Sequence, residues 1–104
     1  MSQRMQSCKI TVVKRMLNQD LVDEYFENPE RFGVCNIFSD GQEFLVEDLF
    51  ALPDGFCAWA WADLRPHIMT VMSGGELPFI KPRGTLIAGC TDWFRPVIFK
   101  IQRV

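Results

Sequence analysis

The chain has 104 residues, the size of one domain, and its 48% apolar and 23% charged content is that of a globular protein. Eleven basic residues stand against 13 acidic ones, a formal net charge of −2, so the cationic surplus with which nucleic-acid binders neutralise phosphates is missing. The longest unbroken apolar run, Phe56 to Ala62, falls far short of the roughly 20 residues of a membrane-spanning helix, and Met1 to Ser7 holds no apolar segment of the kind a secretory signal carries. The expectation is one cytoplasmic domain that binds neither nucleic acid nor membrane.

Residues 8–15, Cys-Lys-Ile-Thr-Val-Val-Lys-Arg, alternate as a strand does. Cys8, Ile10 and Val12 share one face, so Cys8 is expected to point inward. Asn18 or Asp20 is positioned to cap a short helix through Leu21, Val22, Tyr25 and Phe26 that stops before Pro29. A loop follows over residues 29–36. Asp40-Gly41 signals a turn into a strand over Gln42 to Glu47, with Phe44 and Val46 on one side. Pro53-Asp54-Gly55 breaks the chain again. The next helix is expected from about Trp59 or Asp63 to Ser73, with Leu64, Ile68, Val71 and Met72 as its apolar stripe. Proline is most at ease in a first turn, so Pro66 points to Asp63 as the N-cap. Gly74-Gly75 is a natural stop. After a loop over Glu76 to Gly84, Thr85 to Thr91 reads as a strand with Leu86, Ala88 and Cys90 on one face. The last strand follows Arg95-Pro96 and alternates through Val97, Phe99 and Ile101. These two strands are close enough in sequence for an antiparallel hairpin. The sum is a single α+β domain over residues 1–104, with about four mainly antiparallel strands and two helices.

The segments Gly55-Phe-Cys-Ala-Trp-Ala-Trp-Ala-Asp63, Met72-Ser-Gly-Gly75, Cys90-Thr-Asp92 and Arg95-Pro-Val-Ile-Phe-Lys-Ile101, with Cys8 to Arg15 and Gly41 to Phe44, run through nearly the whole chain. In this combination the chain resembles a family of short, uncharacterised bacterial and archaeal proteins. The resemblance implies cysteines at the positions of Cys8, Cys35, Cys57 and Cys90, and it implies no particular activity. Trp93-Phe94 departs from the family pattern, which has Gly and a small apolar residue there, and this puts a tight turn at that point in doubt.

Four cysteines and one histidine carry the most chemistry. Cys8, Cys35, Cys57 and Cys90 show no CxxC pairing, but if they converge in space their soft thiolates suit zinc or iron. The plainer alternative is four small buried hydrophobes. Cys57 is the best single candidate for a reactive or catalytic thiol, because it lies just ahead of a helix N-terminus, where backbone N–H groups favour a thiolate. His67 is a conceivable base, although ten residues of separation fix no contact. Trp59, Trp61 and Asp63 share a face only if this piece is extended; they would then line an apolar pocket with an anion-friendly end, fit for a small carboxylate or phosphate. Otherwise the indoles are core or subunit-interface anchors and Asp63 is only a cap. Arg95 could bind an anionic ligand or simply pair with Asp92 across a turn.

No Ser–His–Asp order, HExxH, phosphate loop or dinucleotide fingerprint is present. Three readings remain. The first is a domain binding a metal ion or small ligand around Cys57, Trp59, Trp61 and Cys90. The second is a thiol-dependent redox enzyme using Cys57 with a second cysteine. The third is a structural module whose plentiful aromatics make a homodimer interface.

Overall fold

The computed structural model describes residues 5–104. Four strands, β1 (Cys8–Arg15), β2 (Glu43–Val46), β3 (Thr85–Gly89) and β4 (Val97–Arg103), form one antiparallel sheet in the order β2-β1-β4-β3. Two helices, α1 (Gln19–Tyr25) and α2 (Ala58–Met72), complete the α+β architecture, with a single 3₁₀ turn at Pro29–Arg31. No helix among the described residues is long and apolar enough to cross a membrane.

The expected alternation holds on β1. Cys8, Ile10 and Val12 are buried, and the register shifts between Val12 and Lys14, leaving Val13 exposed. β3 and β4 form the expected hairpin, in register from Thr85 opposite Gln102 to Gly89 opposite Ile98. Helix α2 starts after β2 at one edge of the sheet and hands over to β3 at the other, so it crosses one face. Under it lie Cys8, Ile10, Val12, Val46, Leu86, Val97, Phe99 and Ile101, packed with Ala60, Trp61, Leu64, Ile68, Val71 and Met72. Phe38, Phe44, Phe56 and Phe99 extend this core as a cluster of aromatic rings with centroids 4.8–5.9 Å apart, mostly edge to face.

Asp63 is not the N-cap of α2. Cys57 is, and Pro66 sits inside the helix, where it has no N–H to give to the carbonyl of Ala62. That lesion costs about 3 kcal/mol. Unwinding the first turns would bare Ala60 and Trp61, and an indole alone removes some 150–250 Å² from water, about 4–6 kcal/mol at 25 cal/mol/Å². Burial wins, and the helix runs through its proline. Its other end follows the expectation: Gly74, at φ +93°, gives its N–H to Val71, and Gly75 gives its own to Thr70 across 2.8 Å, a Schellman stop. Arg103 of β4 reinforces this end, donating to the carbonyls of Val71 (2.9 Å) and Gly75 (3.0 Å) and to Glu76 (2.8 Å).

Asn18 precedes α1 and its carbonyl accepts the first helical N–H groups, but its side chain makes no cap bond. Instead its amide nitrogen donates to the Trp93 carbonyl. With Met16 N–H on Pro96 and Asn18 N–H on Phe94, this ties the chain after β1 to the β3–β4 loop. Phe26 continues the tie, stacked on Phe32 (4.3 Å) and edge-on to Phe94 (4.6 Å).

Candidate functional site

The N-terminus of α2 faces two loops, residues 32–42 and the β3–β4 corner at 90–96. Where the three meet, the structure leaves a pocket of about 120 Å³. Cys35, Ile37 and Phe38 line it from the first loop, Cys57, Trp59 and Ala60 from α2, and Cys90, Asp92, Arg95 and Val97 from the hairpin. Three of the four cysteines thus share one cavity. Cys35 and Cys90 are buried, whereas Cys57 is half-buried and makes no side-chain cap bond to its helix. All four cysteines are free thiols.

Cys8 stands apart. It pairs with Arg103 at the far end of β4, while Cys90 pairs with Val97 at the near end. Six residues of strand, about 20 Å at 3.3 Å each, separate the two positions. A four-thiolate centre needs all its sulfurs about 2.3 Å from one ion, so Cys8 cannot join the other three. Among the described residues no group of three or more His, Cys, Asp or Glu side chains is placed to hold a metal ion. Burial in the apolar core pushes the Cys8 thiol up to about 11.

The walls of the pocket are fastened by polar contacts. Trp59 Nε1 donates to Thr91 Oγ1 at 2.7 Å. Asp63 Oδ2 accepts the Thr91 backbone N–H at 2.7 Å and its hydroxyl at 3.0 Å. Trp59 and Asp63 lie one helical turn apart, so both reach the same threonine. The side chain expected to cap a helix thus clamps the hairpin corner beside Cys90. On the other side Arg15 holds the first loop, donating to the carbonyls of Cys35 (3.0 Å) and Phe38 (3.1 Å) and to Asp40 (2.9 Å). The hydrogen bond to Asp40 pushes the Arg15 guanidinium above its ordinary value.

Asp92 organises the corner, its Oδ1 accepting the N–H groups of Phe94 (3.2 Å) and Arg95 (3.4 Å). The Arg95 guanidinium lies 4.7 Å over the Phe32 ring, with its Nε 3.5 Å from Asp92 Oδ2. That ion pair lacks hydrogen-bond geometry, so the buried Arg95 Nε has no hydrogen-bond partner among the described residues. Cys90 Sγ accepts the Val97 N–H at 3.3 Å.

Of the residues the sequence singles out, Cys57, Trp59 and Arg95 line the pocket, together with Cys35 and Cys90. Trp61 does not; α2 is helical here, so Trp59 and Trp61 diverge, and Trp61 is buried in the core against Phe56. Trp59 lines the pocket and is 57% exposed. Asp63 shapes the wall from behind, through Thr91. His67 is exposed on α2, ten residues or about 15 Å of helix beyond Cys57, and takes no part. Ile37, Phe38, Ala60 and Val97 carry no sequence signal that marks them as lining; they belong to the site only because the sheet brings their loops together. Comparison with family models, with curated proteins and with solved structures finds no match to this chain.

Proposed function

We propose that this chain is a small-ligand-binding domain and that its ligand sits between the N-terminus of α2, the 32–42 loop and the β3–β4 corner. The observation that carries this reading is the pocket itself: about 120 Å³, lined by ten residues from three separate parts of the chain. A cavity of about 150 Å³ accepts benzene, so the fitting ligand has about six non-hydrogen atoms. Ile37, Phe38, Ala60, Val97 and the thiols suit an apolar body, and Arg95 suits a polar or anionic end.

The test is an NMR titration of the isotope-labelled chain with benzene, isovalerate and tert-butanol. Amide resonances of residues 35–38, 57–60 and 90–97 are expected to shift saturably. Ala60→Leu, which places a larger side chain in the cavity, abolishes these shifts while circular dichroism stays unchanged. Shifts that are absent for every compound, or that persist in Ala60→Leu, refute the reading.

A further inference from the structure

We infer that the pocket is a thiol redox site in which Cys57 reduces a compact organic hydroperoxide and Cys90 resolves the product as an intramolecular disulfide. This rests on the pocket being a ligand site and names the class of ligand. Three observations converge. Cys57 is the half-buried thiol of the three that line the cavity, with its sulfur unused by the helix it precedes. Arg95 lines the same cavity, beside Asp92, and is a cation available to a departing oxygen. Cys90 is the second thiol best tied to Cys57: Trp59 and Asp63 hold the adjoining Thr91 through three hydrogen bonds of 2.7–3.0 Å, so the hairpin corner is fastened to the first turns of α2. Cys35 belongs to a loop that Arg15 fastens to β1 instead.

Both steps balance. The Cys57 sulfur attacks the terminal oxygen of the hydroperoxide and the O–O bond breaks. Cys57 becomes a sulfenic acid, and the alkoxide leaves as an alcohol with the thiol proton. The Cys90 thiol then attacks the Cys57 sulfur, a disulfide forms, and the hydroxyl departs with the Cys90 proton as water. Two thiols are oxidised by two electrons and one peroxide is reduced. A small dithiol restores the pair by exchange. The cavity sets the substrate: tert-butyl hydroperoxide has six non-hydrogen atoms and an apolar body that hydrogen peroxide lacks.

The experiment treats the reduced full chain with one equivalent of tert-butyl hydroperoxide and follows intact mass, peptide mapping and rate. The expected product has lost two hydrogen atoms and carries a Cys57–Cys90 disulfide. Cys57→Ser does not react, and Cys90→Ser stops at a dimedone-trapped sulfenic acid on Cys57. Cys35→Ser, which must also fold, still forms the disulfide. The organic peroxide is expected to react about tenfold faster than hydrogen peroxide, the discrimination one apolar group supplies, and Ala60→Leu removes that preference. A disulfide through Cys35, or a rate indifferent to the peroxide's apolar body, overturns the inference. If tert-butanol binds but no thiol is oxidised, the redox inference falls and the ligand site stands. If neither occurs, both fall.

Discussion

Asp63→Ala should open the hairpin corner, because one carboxylate oxygen holds Thr91 by both its backbone N–H and its hydroxyl. Hydrogen bonds to a charged acceptor are worth about 1.5–3 kcal/mol each, and the half-buried setting brings the pair to about 2 kcal/mol. Thr91 Oγ1 remains bonded to Trp59 Nε1, so its loss is not complete. For a chain of this size 1 kcal/mol moves the midpoint by about 4–8 °C, and the variant is therefore expected to melt about 8–16 °C lower. The assay is thermal denaturation at pH 7 by circular dichroism, with tryptophan emission read in parallel. Trp59 keeps its bond to Thr91, but Thr91 is no longer held by Asp63, so the indole's surroundings and the native emission should also change. Asp63→Asn keeps one acceptor oxygen and should lose about half as much. Combined with Thr91→Val, the double variant should show a coupling of about 1 kcal/mol. A loss below about 0.5 kcal/mol for Asp63→Ala, or additivity within about 0.3 kcal/mol, would refute the clamp.

Two further outcomes concern Arg103 and Cys8. Arg103→Met removes three donations to the C-terminal end of α2 and its following loop; urea unfolding should show a loss of about 1–3 kcal/mol, with faster hydrogen exchange confined to residues 70–75, and uniform exchange across α2 would contradict it. Cys8 has its thiol pushed from an ordinary 9.0 to about 11, so the folded chain retains a proton that the unfolded chain releases between those values. Stability is then full below pH 9 and falls as the pH rises to about 11. Denaturation of the wild type and Cys8→Ala across this range should give a shallower fall for the variant, and parallel curves would exclude Cys8 as the cause.

The strands were the most legible part of this sequence, because a period of two cannot be hidden: Cys8, Ile10 and Val12, and again Val97, Phe99 and Ile101, show their buried face directly. The hairpin followed from proximity. Pairing of β1 with β4 has no local signature, since it depends on residues at opposite ends of the chain. Of the two starts the sequence offers for α2, the one near Trp59 matches the structure; Pro66's strong local preference points to Asp63 instead, and the burial of Ala60 and Trp61 that overrides it is a property of the folded core. The choice of start also moves the site. An extended Trp59-Ala-Trp61 puts both indoles in one pocket; a helical one sends Trp61 inward and brings Trp59 and Asp63 together on Thr91. Cys35, Cys57 and Cys90 are all identifiable as chemistry by residue type alone, but Cys35 lies in a loop with no regular pattern, and only Arg15 gripping its carbonyl explains where it sits.

The sheet places β1 beside β4, with Cys8 opposite Arg103. Closing so large a loop costs about 2 kcal/mol more chain entropy than closing one of ten residues. The central pair cannot form until β4 has left the ribosome, and until then β1 has only β2 for a neighbour and α2 has no complete sheet to cover. Cys35, Cys57 and Cys90 reach their common cavity through the loops that this last pairing draws in. Until then the three cysteines are linked only through the intervening sequence and have no cavity in common. The cavity that the three cysteines line is therefore complete only with the final strand, and a chain arrested before Val97 has the cysteines but no pocket.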